Sequence, residues 1–136
     1  MKIKSSFILS AGFGLILAAV PVLAHHSFTA QFDRSKPANL NGPVTRIDWI
    51  NPHARFFMDV KDANGKTVNW EIELSAPAML MRRGWTKNSL KVGQAVTVVG
   101  SMAKDGSSLA NASSVKLSDG KQLFAGSSGG DSETPQ

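Results

Sequence analysis

Residues 44–74 alternate apolar and polar side chains through three successive runs, and no other feature constrains the fold as strongly. In "VTRIDWI", Ile47 and Trp49 share one face while Arg46 and Asp48 share the other. "RFFMDVK" sends Phe56, Met58 and Val60 inward and Arg55, Asp59 and Lys61 outward. "TVNWEIEL" returns with Val68, Trp70, Ile72 and Leu74 inward and Thr67, Asn69, Glu71 and Glu73 outward. A period of two with one apolar face is the mark of half-buried antiparallel sheet. Between the second and third runs lies Asn64-Gly65, the strongest short hairpin signal, because both residue types tolerate positive φ. Phe57 breaks the phase and is expected to face outward, against the preceding segment or a ligand.

Further on, Ser75 is positioned to cap a short helix. Pro77 suits its first turn, "AMLM" fills it, and Arg82 and Arg83 lie near its negative end before Gly84. "SLKVGQAVTVVGSM" gives a fourth strand and "NASSVKLSDGKQLF" a fifth, with a short return strand through Asp119-Gly120. Three meandering strands, a helix and two more strands are the order of the oligonucleotide/oligosaccharide-binding (OB) barrel, a mainly β, five-stranded Greek key with its helix between strands three and four. A small β-sandwich is the alternative. Upstream, residues 25–42 read as a polar lead-in bearing Phe28 and Phe32 and punctuated by Pro37, Gly42 and Pro43. The expected division is a leader over 1–24, the lead-in over 25–42, an OB-like β-barrel over 43–125 and a Gly/Ser-rich, disordered tail over 126–136.

The leader has the parts of a secretory signal peptide: Lys2 and Lys4, the apolar run "FILSAGFGLILAAV", and Val22 and Ala24 at the −3 and −1 positions of a cut before His25. Its removal leaves 112 of 136 residues, enough for one domain with a single core. The 15 basic residues then become 13 against 10 acidic ones, so the formal charge falls from +5 to +3. Whole-chain basicity therefore overstates the case for an anionic partner, and nucleic acid is not an expected one. The chain has no cysteine, which excludes thiolate metal sites and thiol catalysis and leaves stability to the core. A periplasmic or secreted protein with no membrane span after processing is expected.

Export gives His25 a particular chemistry. As the first mature residue it offers a free amine and an imidazole, which together can close a chelate ring on one ion. A second imidazole then completes three nitrogens suited to Cu(II) in tetragonal geometry. His53, in "WINPHARFF", is the candidate for that nitrogen, and His26 offers a looser His-His mode. Copper is thus the cofactor these residues suit, in a metal set of His25, His26 and His53. The ordinary reading stands beside it: terminal histidines commonly do nothing, and no zinc-finger or "HExxH" spacing is present. Asn51 lies before Pro52 in the same loop, which in this barrel class is a usual ligand rim. Asn51, Phe57, Arg82, Arg83 and Trp85 make up the expected ligand-binding set, with Trp85 the best surface aromatic and Trp49 and Trp70 assigned to the core. The methionines read as core filler. Glu71 and Glu73 lie two apart on an outer face and read as cross-strand partners of Arg55 and Lys61 rather than an acid/base pair. No catalytic residue is assigned.

Several stretches together resemble a known family. "HHSF…FD", "NPH", "DANGK", "RRGWT" and "AKDGS" are similar to a family of small exported bacterial proteins of unknown function with a His-His-Ser-Phe mature start. The likeness runs from His25 to about Gly126 and implies export and a small barrel. It supplies no activity, cofactor or site residue. Ala54 and Arg55 follow Asn-Pro-His where the family often has an aromatic or aliphatic residue, which argues against a shared apolar surface on this loop. The functional expectation is a non-enzymatic envelope module that binds a small ligand, metal or envelope protein. The alternatives are a periplasmic copper or divalent-metal protein, and single-stranded nucleic-acid or oligosaccharide binding by analogy of fold alone.

Overall fold

Pro37, Gly42 and Pro43 do not precede the first strand; they lie inside it. The computed structural model describes residues 27–126, and β1 (Phe32–Asp48) takes in most of the segment that reads as a lead-in. The prolines are tolerated because β1 changes partner along its length, leaving stretches of edge where no donor is needed. From Phe32 to Pro43 it pairs with β4 (Ala95–Ala103), and from Val44 to Asp48 with β2 (Arg55–Lys61), antiparallel in both cases. Register shifts between Asp33 and Pro37 and between Val44 and Arg46 bend the strand. Gly42 marks the change of partner: a Cβ there would lie 1.8 Å from the Asp59 carbonyl oxygen, so only glycine allows the close approach.

Before β1 lies α1 (Ser27–Gln31), a single short turn. Phe28 and Phe32 stack with ring centroids 5.4 Å apart, and Phe32 is buried. The backbone N–H of Lys104 donates to Gln31 at 2.9 Å, and its ammonium donates to the Thr29 carbonyl, so α1 is tied to the loop between β4 and β5.

β2 and β3 (Thr67–Glu73) form the expected hairpin, in unbroken register from Lys61 opposite Thr67 to Arg55 opposite Glu73. Its turn differs from the expectation. Gly65 alone has positive φ (77°), and Asn64 does not. Gly65 N–H donates to the Asp62 carbonyl, while the Asp62 carboxylate accepts from the amides of Asn64 and Lys66 at 2.8 and 2.9 Å. Asp62 organises the loop, so only one residue has to enter the left-handed region.

β4 pairs antiparallel with β5 (Leu109–Leu117), and β5 runs parallel to β3 over Leu109–Asn111, opposite Glu71–Glu73. That pairing closes a ring, β1-β2-β3-β5-β4. Beyond Asn111 the same edge of β5 is taken by β6 (Gln122–Phe124), which returns through the turn at Gly120 (φ 88°). The described residues thus hold six strands, five in the ring and the short return strand through Asp119-Gly120, and two short helices. The interior is filled by Leu40, Val44, Phe56, Met58, Ile72, Leu74, Leu80, Val98 and Val115, with Trp49 and Trp70 half-buried against it. Gly100 sits at a second close approach, where a Cβ would lie 1.9 Å from the Asn111 carbonyl oxygen.

α2 (Pro77–Arg82) falls between β3 and β4 as expected, with Pro77 in its first turn, but Ser75 does not cap it. Ser75 is buried and serves as a junction instead. Its carbonyl accepts from Ala54 at 3.1 Å, its N–H donates to Ala125 at 3.1 Å, and its hydroxyl donates to the Gly126 carbonyl. Trp85, expected at the surface, is only 2% exposed. Its indole N–H donates to the Phe124 carbonyl at 2.9 Å, and Arg83 Nη1 donates to Gly126 at 2.6 Å. The corner around α2 therefore grips successive carbonyls of the segment after β5, and this draws the tryptophan inward. Met81, read as core, is 55% exposed because α2 is too short to bury both of its sides.

Two outcomes follow. Gly100→Ala lowers stability by about 1–3 kcal/mol, since the added methyl meets backbone rather than a movable side chain; equilibrium denaturation reads this directly. Trp85→Phe leaves the Phe124 carbonyl without its donor and lowers stability by about 1–3 kcal/mol. Hydrogen exchange should then rise at Ala125 while Ile72 stays protected relative to it.

Candidate functional site

Ring closure brings four strands into line on the outside of the β2–β3 hairpin. In one row Arg46 is opposite Phe57, Phe57 opposite Glu71, and Glu71 opposite Leu109. In the next row Asp48 is opposite Arg55, Arg55 opposite Glu73, and Glu73 opposite Asn111. The side chains then couple within and across the rows. The Arg46 guanidinium carbon lies 3.8 Å from the Phe57 ring centroid, and its Nη2 donates to Asp48 at 2.9 Å. Phe57 is accordingly outward and half-buried, as its phase implies. Arg55 Nη1 donates to Glu71 at 2.5 Å, whereas Arg55 Nε is buried and has no hydrogen-bond partner among the described residues. Lys61, the other cation expected to pair with these carboxylates, stands opposite Thr67 instead.

His53 borders this face from the loop between β1 and β2. Its Nδ1 is 3.0 Å from the Leu74 carbonyl oxygen and 3.5 Å from Glu73 Oε1. A carbonyl can only accept, so Nδ1 carries the hydrogen and Nε2 is the unprotonated nitrogen of the neutral ring. The side chain is 35% exposed. Glu73 is itself fixed, its Oε1 accepting from Nδ2 of the buried Asn111 at 3.1 Å. The loop is held from the other side by reciprocal backbone bonds between Ala54 and the Leu74–Ser75 stretch.

The residues named from sequence divide. His53 and Phe57 reach the face, with Asn51 exposed on the adjoining loop after Ile50. Trp85 and Arg83 are engaged by the segment at Phe124–Gly126, and Arg82 Nη1 lies 3.8 Å from Met79 Sδ. His25 and His26 lie outside the described residues. Among the described residues no group of three or more His, Asp and Glu side chains is arranged to hold a metal ion, and no helix is long and apolar enough to cross a membrane. The face also includes Arg46, Asp48 and Asn111, which sequence reasoning did not assign to a site. The outward phase of Arg46 and Asp48 was a usable signal; the parallel approach of β5, which brings in Asn111, has no local one.

Two carboxylates with displaced titration are Asp33, half-buried, and Asp105, exposed. The Ser35 hydroxyl, then its amide, holds Asp33 below the ordinary aspartate value, and Ser107 does the same for Asp105. Depressed carboxyls of this kind add stability above their unfolded-state values and lose it as the pH falls through the folded ones.

Comparison with curated proteins and with solved structures finds no match. A family model described as a family of unknown function, DUF6152, matches residues 13–112, which takes in β1 through the first part of β5. The chain belongs to DUF6152, a family of unknown function.

Proposed function

We propose that this chain is an exported, non-enzymatic binding module built on an OB-like barrel, and that the outer face around Phe57 receives its ligand. The observation that carries the reading is the pair of aligned rows. They set an aromatic ring capped by Arg46 beside Arg55, Glu71 and Glu73, next to the loop that forms a ligand rim in this barrel class. The leader with Lys2, Lys4, Val22 and Ala24 supports export to the periplasm or beyond. Both signs of charge around one ring suit a small molecule or peptide end with charged groups and an apolar part. Polyanionic nucleic acid fits less well, because Glu71, Glu73 and Asp48 stand among the cations.

Amide-shift mapping tests this with three probes: free phenylalanine, a chitin trisaccharide and oligothymidylate. Shifts for one probe centred on Arg46, Arg55, Phe57 and Glu71, and at least tenfold weaker binding in Phe57→Ala, are expected. Shifts confined to β4 and β6, or none with any probe, would remove the reading.

A second reading is favoured by His53, whose bond to Leu74 leaves Nε2 open. In it the mature chain binds Cu(II) through the amine and imidazole of His25, with His53 as a further nitrogen and His26 nearby in sequence. The exported protein is expected to begin at His25 by mass spectrometry. Its Cu(II) paramagnetic resonance spectrum is expected to show nitrogen coupling that changes in His53→Gln; a start elsewhere, or an unchanged spectrum, counts against it.

A further inference from the structure

We infer that Glu73, steadied by Asn111, is an outer-shell positioning residue that presents His53 Nε2 to a borderline divalent metal ion such as Cu(II) or Zn(II). This rests on the second reading above and extends it from the ligand to its support. Three groups from two stretches of chain converge on one side of the imidazole. Leu74, just after β3, supplies its carbonyl at 3.0 Å, the end of β3 supplies Glu73 Oε1 at 3.5 Å, and β5 supplies Asn111 Nδ2, 3.1 Å from that carboxylate oxygen. A histidine needed only to pin its loop has that from the Leu74 bond alone, and the loop is already tied by the Ala54 bonds to Leu74 and Ser75. A carbonyl bonded to Nδ1 with a carboxylate 3.5 Å away does something further: the pair fixes the tautomer and holds the ring plane, which is how metal-bound histidines are usually supported. Glu73 is suited to this because Arg55, opposite it in the register, donates to Glu71 rather than to Glu73. The charge of Glu73 is therefore left to act on the histidine. Asn111 is buried, so the support is not a chance meeting of surface groups. Imidazole with a fixed Nε2 favours copper or zinc over magnesium or calcium, which prefer oxygen.

The test uses the mature chain with Zn(II) for nuclear magnetic resonance and Cu(II) for paramagnetic resonance. In the metal-free wild type, long-range proton–nitrogen spectra should show His53 with Nδ1 protonated and Nε2 bare, and Zn(II) should move Nε2. Glu73→Gln keeps an oxygen for Asn111 and should fold as the wild type does, yet weaken metal binding 10- to 100-fold. A His53 carrying its hydrogen on Nε2 would overturn the inference without recourse to any variant. Metal affinity within threefold of wild type in Glu73→Gln would also overturn it, while leaving His53 as a ligand under the second reading. Metal bound at the amino terminus with no change at His53 would remove both His53 and Glu73 from the site. No binding of either ion would end the inference and the second reading together, and the Phe57 face would stand apart from that result.

Discussion

β1 is hydrogen-bonded to β4 along its first part and to β2 along its last, and both halves of the ring are oriented by that one change of partner. At the crossover the backbone of Gly42 lies against that of Asp59, closer than any side chain would permit. The bend this allows turns the end of β1 across the hairpin, which places Arg46 over Phe57 and Asp48 beside Arg55. The chemistry of the outer face is therefore a consequence of backbone packing on the inner one.

The ion pair of this face adds little to stability. Arg55 and Glu71 are each about one-third exposed, and ion pairs of that kind contribute about 0–1 kcal/mol. Against that stands the buried Arg55 Nε with no partner among the described residues, a group whose desolvation goes unreturned. The small gain of this charged and aromatic arrangement in folding is part of the ground on which we propose the face as a binding surface.

Much of the hairpin was legible because its information is local. Apolar phase set the inner face of β2 and β3, Asn64-Gly65 located the turn, and a continuous hairpin puts Arg55 opposite Glu73 without further input. The helix between the third and fourth strands was legible for the same reason, through Pro77 and Gly84. What was misread depends on distant partners. Pro37 and Pro43 look like breaks until β4 is seen to serve one edge of β1. Trp85 and Ser75 look like a surface aromatic and a helix cap until the segment at Phe124–Gly126 arrives to take their hydrogens. Asn111 joins the face only through a parallel pairing of three residues, which leaves no pattern in the sequence to read.

The pairing of β1 with β4 has a consequence in time as well as space. Phe32 meets Ala103, and Ser75 meets Gly126, so the contacts that complete the ring join segments far apart along the chain. Loop closure of that length must precede its reward, which places such topologies among the slow folders, on the order of milliseconds to seconds. The β2–β3 hairpin can form early and alone, but it then waits, with the inner faces of Phe56, Met58 and Ile72 uncovered, for strands made much later. During that interval the polypeptide is vulnerable to wrong partners, and any factor that shelters an open hairpin would act on this molecule before it acts on the finished one.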